Sequence, residues 1–312
     1  MRLAFPHLDQ VEENSTVDKL ALLQLRLLDK KLTALIEIGL EPPQRLTLFY
    51  AHGGQAGAFL SDGETFQPVS VTDIFSKWTG GARPLRLLLL PDKAARAAWM
   101  AATSTSRARR NGRGPADFTQ LNAAWKREAT TGLVEVITER AQGFLYFQNG
   151  ALLESESIWI RENGPASQTD ASDLAGSWEA FILETPPNNA ASQCFTLRQA
   201  ARAWSGAIFD SYSNIAGEKF LQVMLRELRV QIAPWQWNFQ VETGGLMDDH
   251  FFPNTAALGH AYRALFMGIG AQMEFAIGAN LTQRMMNEMF NELAQEERAS
   301  LESQRLIPAA FS

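Results

Sequence analysis

The sequence predicts an α+β fold: two repeated helix-plus-antiparallel-meander modules and a mainly helical C-terminal part. Three observations predict it. Thr33-Ala34-Leu35-Ile36-Glu37-Ile38 returns as Thr131-Gly132-Leu133-Val134-Glu135-Val136, a shift of 98 residues, and Leu48-Phe49-Tyr50-Ala51-His52-Gly53 returns as Leu145-Tyr146-Phe147-Gln148-Asn149-Gly150, a shift of 97. Self-similarity at a near-constant spacing marks a duplicated supersecondary unit. Each copy is preceded by apolar residues at helical spacing and then runs into β-branched, strand-like segments. The last third is helical in period and carries a fainter echo, in which Gly217 with Phe220, Gln222, Met224, Leu225, Glu227 and Leu228 returns as Gly278 with Leu281, Gln283, Met285, Met286, Glu288 and Met289.

The first module spans residues 15–103. Leu20, Leu23 and Leu27 mark one face of a helix. A strand begins at Thr33, turns at Pro42-Pro43, and a second strand ends at His52-Gly53-Gly54. A third strand follows near Ala56 to Leu60. Val71, Ile74, Phe75 and Trp78 suggest a helix stopped by Gly80-Gly81, Leu85 to Leu90 a strand, and Ala94 to Ala102 a short helix.

Residues 104–115 hold Arg107, Arg109, Arg110 and Arg113 among glycine and asparagine, with almost no apolar content. That composition predicts a basic flexible linker. Its sharper reading is a contact for phosphate or an acidic partner.

The second module spans 116–195. Asp117 is placed to cap a helix whose apolar face is Phe118, Leu121 and Trp125. A strand starts at Thr131, a turn follows over Glu139 to Gln142, and the next strand ends at Asn149-Gly150, a pair that tolerates the positive φ of a tight hairpin. A third strand is expected over Ala151 to Glu156, a loop over Asn163 to Asp173, and a strand from Trp178 to Leu183. Glu37 and Glu135 interrupt apolar strands, so one face of each strand is expected to meet solvent.

Residues 196–312 form the mainly helical part, with helices over Leu197 to Trp204 and Ile215 to Ile232, and one long or two broken helices over Ala256 to Arg298. Trp235 to Val241 alternates apolar and polar residues as a strand does.

The second copy resembles the PATAN-type domain, the amino-terminal region of PatA-like response regulators. The matching residues are Thr131-Gly132-Leu133-Val134-Glu135-Val136 and the hairpin Gly143-Phe144-Leu145-Tyr146-Phe147-Gln148-Asn149-Gly150-Ala151-Leu152. The first copy departs from the pattern at Ala34 but keeps a family-like tail at Ile74-Phe75, Trp78 and Gly80. Together the likeness covers roughly residues 15–90 and 115–160. It implies a non-catalytic module of bacterial signalling and motility systems, with no catalytic residues to carry over.

Composition narrows the function classes. The chain has 312 residues, 46% of them hydrophobic, and a net charge of −6, which disfavours a dedicated nucleic-acid binder. Cys194 is the single cysteine, so no intramolecular disulfide can form, in keeping with a cytoplasmic location. No signal-peptide h-region and no bilayer-length apolar run are present, so no direct membrane insertion is expected.

Catalytic signatures are sparse. The sequence has neither a Gly-Lys-Ser/Thr phosphate loop nor a Gly-x-Ser-x-Gly elbow. The best metal-like set is Asp248, Asp249, His250 and His260, and the stretch reads more simply as a loop entering the last helix with Asn254 or Thr255 as cap. His52 reads as a turn residue and Cys194 as a small buried hydrophobe. Met267, Met273, Met285, Met286 and Met289 read as core filler or as an adaptable surface, and Trp235 and Trp237 as buried between strand and helix or as a contact pair.

The expectation is therefore a non-enzymatic scaffold or adaptor in a bacterial signalling, motility or filament complex, with no cofactor. Arg107, Arg109, Arg110, Arg113, Trp235 and Trp237 are the candidate partner contacts, and homo-oligomerisation stays open. The alternatives are a regulator of a small GTPase and a small-molecule sensor with an inter-domain pocket.

Overall fold

A computed structural model describes residues 9–308 apart from 63–65, 71, 73–80, 162–163, 167–168, 234–236, 238 and 243–244. The helix expected at Val71, Ile74, Phe75 and Trp78 lies outside the described residues. The chain divides after Asn189 into two compact units, both repeats belonging to the first. The boundary falls at 189/190, not 195/196, because the first helix of the second unit already begins at Ala190.

The first module runs β1 (Asp9–Ser15), α1 (Val17–Asp29), β2 (Ala34–Gly39), β3 (Arg45–Ala51), β4 (Gly54–Ser61), β5 (Phe66–Pro68), β6 (Arg83–Leu89) and α2 (Asp92–Ala102). Its sheet is antiparallel in the order β1-β6-β2-β3-β4-β5. The second module runs β7 (Thr105–Arg113), α3 (Gly114–Arg127), β8 (Gly132–Thr138), β9 (Ala141–Gln148), β10 (Ala151–Leu152), β11 (Ile158–Arg161), β12 (Gly164–Ala166), a 3-10 turn at Ala171–Leu174, and β13 (Ser177–Glu184). Its sheet has the order β12-β11-β9-β8-β13-β7, with β10 beside β9. Each module thus opens on a strand, enters a helix, forms a meander, and closes with a strand that pairs back onto the opening one.

The repeated residues share a job in both copies. At the end of the first helix Lys31 and Ala129 take φ of 49° and 50°. The hairpin tips His52-Gly53 and Asn149-Gly150 are at positive φ, as a two-residue turn of this kind needs. Gly53 N donates to Leu32 O and Gly150 N to Thr130 O, both at 2.8 Å, which tucks each tip under its helix. The Thr33 and Thr131 hydroxyls accept from the backbone N–H of His52 and Asn149. A Cβ on Gly150 would lie 2.6 Å from Lys126 O, so the tip admits only glycine.

Helix α1 buries Leu20 and Leu27 against Ala34, Ile36, Ile38, Leu46 and Leu48. Helix α3 buries Phe118 and Trp125 against Val134, Val136, Leu145 and Phe147. The opposite faces of both sheets meet α2. Trp99 of α2 stands edge-on to Phe49 and Phe59 of the first sheet at 5.1 and 5.2 Å. The helix also touches β8, β9 and β11 of the second sheet. Ala94, Ala95, Ala98, Ala101 and Ala102 are all buried, which lets the helix approach two sheets at once. This packing corrects the expectation for Glu37 and Glu135. Both are buried, because the strand face that carries them looks at α2 and not at solvent.

The second unit runs α4 (Ala190–Ala216), α5 (Glu218–Ile232), β14 (Phe239–Glu242), β15 (Gly245–Asp248), α6 (Thr255–Ile277), α7 (Ala279–Glu292) and α8 (Gln295–Ser303). Residues 256–298 therefore contribute to three helices, not one or two. The strand expected from Trp235 is described only from Phe239. The Gly217/Gly278 echo is structural: each glycine joins two helices, at φ 94°, ψ 155° and φ 81°, ψ 152°. Their buried positions recur 61 residues apart, Leu197 with Leu258, Ala200 with Ala261, Trp204 with Leu265, Ile208 with Ile269, Tyr212 with Met273 and Met224 with Met285. The unit is a duplicated helix pair closed by α8. Met273, Met285 and Met286 fill its core, whereas Met267 is exposed.

Candidate functional site

The segment 104–115 is not a flexible linker. Thr105–Arg113 is strand β7, held along its length by β13. The strand forms despite its polarity because backbone pairing, not side-chain burial, orders it. Gly112 lets the Trp178 ring lie flat beneath the strand, where a Cβ would overlap the indole. Trp178 Nε1 then donates to Gly114 O at 3.0 Å, fixing the point where β7 passes into α3. Asp117, the expected cap, accepts from Arg113 N at 2.9 Å.

Among the described residues no strand pairs with the outer edge of β7. Its backbone N–H and C=O groups on that side form a template for an added strand. Arg107, Arg109, Arg110 and Arg113 are all exposed. Alternate side chains on a strand sit about 6.8 Å apart on one face. Arg110, level with Ala180, therefore shares the α3 side with Ala108 and Gly112, while Arg109 and Arg113 project from the opposite face and Arg107 sits at a register shift with no residue directly across from it. Arg109 pairs with Glu179 and lies over the Phe181 ring at 5.5 Å. Arg107, Arg110 and Arg113 form no ion pair among the described residues. Three cationic groups and an open hydrogen-bonding edge are thus displayed along one strand.

The tryptophan candidates separate. Trp235 lies outside the described residues. Trp237 is half-buried, packed on the helical core and edge-on to Phe252 at 6.3 Å.

The residues of the metal-like set have distinct settings. Asp248 pairs with Arg198 of α4 at 3.0 Å, the two side chains being 1% and 4% exposed. Tyr262 Oη donates to the same carboxylate at 3.2 Å, His250 N donates to its other oxygen at 2.8 Å, and Arg198 also donates to His250 O at 2.8 Å. A cation at Asp248 would have to displace this buried guanidinium. His250 is buried against Phe252, and His260 is exposed on α6. Among the described residues the four are not gathered as one ligand set. Arg198, which anchors Asp248, is not singled out by the sequence, where it is one of two arginines, with Arg202, in an apolar helical run.

Two further polar arrangements occupy the first unit. Asp92, at the start of α2, accepts from Thr33 Oγ1 at 2.5 Å and pairs with His52 Nε2 at 2.9 Å. In a nucleophile–histidine–carboxylate relay the hydroxyl sits on the imidazole. Here the Thr33 hydroxyl proton goes to the carboxylate, so the three do not stand in that order. His52 itself occupies the positive-φ turn position expected for it. Between α2 and the second sheet, Arg96 pairs with Glu156 at 2.7 Å and Tyr146 Oη donates to Met100 Sδ at 3.0 Å. Burial, followed by the Glu156 carboxylate, raises the Tyr146 phenol well above its ordinary range.

Glu135 is fully buried, and burial pushes its carboxyl up to about 7, opposed by a hydrogen bond from Gln142 Nε2. The equivalent Glu37 faces Arg86 across the ladder at 3.1 Å, whereas the residue across from Glu135 is Phe181. Among the described residues no helix is long and apolar enough to cross a membrane. Comparison with family models, with curated proteins and with solved structures finds no match.

Proposed function

We propose that this chain is a non-enzymatic scaffold or adaptor that holds protein partners in a bacterial signalling, motility or filament complex, and that it works in the cytoplasm. The β7 edge is the observation that carries the reading. Four exposed arginines lie on a nine-residue strand whose outer backbone groups have no strand partner among the described residues. Strand addition supplies affinity through main-chain hydrogen bonds, and side chains on alternate positions supply specificity. An exposed long edge is a hazard that soluble proteins normally shorten, cover, or guard with charge, proline or a bulge. A nine-residue edge with no strand partner among the described residues, guarded only by its arginines and a register shift at Arg107, suits a surface that a protein segment of opposite charge covers. The resemblance of the second copy to the PATAN-type pattern points to the same class of role.

The test is affinity purification of the tagged chain from native lysate beside an Arg107→Glu, Arg110→Glu, Arg113→Glu variant, with partners identified by mass spectrometry. Signalling, motility or filament proteins held by the parent and lost by the variant are expected. Recovery of the same proteins by both would overturn the role of the edge, and recovery of none by either would overturn the adaptor reading.

A further inference from the structure

The two long edges of the first unit carry opposite charge. Strand β7 closes one sheet and β1 closes the other. The remaining sheet ends are short and interrupted by proline, Phe66–Pro68 at one and Gly164–Ala166, with Pro165, at the other. Strands β1 and β7 are also equivalent within the duplication. Each leads directly into its module's first helix, and each pairs antiparallel with its module's last strand, β6 or β13. Yet β1 reads Asp9-Gln10-Val11-Glu12-Glu13-Asn14-Ser15, with three carboxylates and no cation, while β7 carries four arginines and no carboxylate.

Guarding an edge against aggregation explains charge on a strand but not the opposite signs. Like-charged edges would repel every copy of the chain; oppositely charged ones attract. We infer that the β7 edge of one molecule adds antiparallel to the β1 edge of a second copy of this chain. One register places Asp9 opposite Arg113 and Glu12 opposite Arg110 along the regular part of β1, and brings Glu13, at the register shift that follows Glu12, beside Arg109. Sliding the strands, or running them parallel, loses at least one of these pairings. Opposite charges directly across a ladder favour that register, and like charges disfavour β1 meeting β1 or β7 meeting β7. The contact is head-to-tail, joining different surfaces of the two molecules, so it builds rings or open filaments unless two molecules close on each other reciprocally. A nucleic acid fits this edge less well, because its phosphates only accept hydrogen bonds and the open strand offers donors and acceptors alternately.

This inference rests on the adaptor reading in assigning the β7 edge to protein binding, and it names the occupant. The test uses the purified full chain. Sedimentation velocity over a concentration series should show association at low salt, weakened about tenfold or more at high salt, where charges beyond a few ångströms are screened. Arg110→Glu with Arg113→Glu, two side chains free of ion pairs among the described residues, should sediment as monomer, as should Asp9→Lys with Glu12→Lys. Circular dichroism confirms that each variant is folded, and an equimolar mixture of the two should regain association, which unfolding could not produce. A Val11→Cys chain mixed with an Asn111→Cys chain should crosslink on oxidation, and Val11→Cys mixed with Ala108→Cys should not. A monomeric parent at every concentration, association undiminished in either variant, or a mixture that stays monomeric overturns the inference. If the parent is monomeric but lysate partners still depend on the arginines, self-pairing falls and the adaptor reading stands. If it is monomeric and the arginines govern only retention on a polyanion such as heparin, both fall.

Discussion

Replacing Glu135 by glutamine alters one proton-binding oxygen in the layer between α2 and the second sheet and little else. Gln142 Nε2 donates to Glu135 Oε1, while Glu135 Oε2 and Gln142 Oε1 have no hydrogen-bond partner among the described residues. One proton on Oε2 supplies the donor that this pair of acceptors lacks, in keeping with a carboxyl raised by burial from an ordinary 4.5 to about 7. Below the ordinary value both folded and unfolded chains hold the proton and the site costs nothing. Between the two values the unfolded chain releases it first, so stability falls as pH rises. Above the folded value the whole difference is lost, about 3 kcal/mol. A glutamine at 135 keeps the acceptor and places an amide donor where the proton would sit. Glu135→Gln should therefore match the parent near pH 4 and exceed it by about 3 kcal/mol near pH 8. Urea unfolding followed by tryptophan fluorescence at several pH values reads this directly, with the midpoint moving and the slope unchanged. A gap between parent and variant that does not vary with pH, or one that widens toward acid, would refute the reasoning. Glu37→Gln is the internal contrast. It removes a carboxylate paired with Arg86, so it should destabilise the chain near neutral pH.

Three other outcomes follow from the packing. Gly150→Ala puts a Cβ 2.6 Å from Lys126 O at a φ of 77° and should cost at least about 2 kcal/mol in thermal unfolding, more than Gly217→Ala, where the added atom meets nothing within 4 Å. Arg198→Met should cost about 3–5 kcal/mol by leaving Asp248 buried without its counter-charge, and adding Asp248→Asn should recover part of that loss in a double-mutant cycle. Leu22 and Leu25 are exposed on α1, where the equivalent positions of α3 are Gln120 and Ala123, so Leu22→Gln and Leu25→Gln should each change stability by no more than about 0.5 kcal/mol in chemical denaturation.

The repeat was legible because its matched residues are set by local geometry. Threonine and glycine recur where a hairpin tip must pass beneath a helix end, and that requirement is visible in one dimension. Leu20 and Leu27, like Phe118 and Trp125, showed the buried helix faces by spacing alone, and Gly217 and Gly278 marked true helix junctions. What escaped depended on distant partners. Strand β7 looks disordered in composition because its order comes from β13, more than sixty residues away, and from the Trp178 ring. Glu37 and Glu135 looked solvent-facing because nothing in the alternation of a strand reveals that a helix covers its polar face. The loop expected over Asn163 to Asp173 contains a short strand and a 3-10 turn, tied by Arg161 to Asp173 at 2.7 Å. The candidate surface was legible as a cluster of arginines, but not as an edge, and its acidic counterpart on β1 gained meaning only once sheet order was known.

Helix α2 has a genetic consequence. A fragment ending ahead of Asp92 would leave Phe49 and Phe59 bare to water, and one starting beyond Thr103 would strip the cover from Tyr146 and orphan Glu156 from Arg96. Neither half could be inherited, transplanted or expressed on its own without losing a wall that the other half supplies. What began as two copies is now, for selection, a single indivisible part.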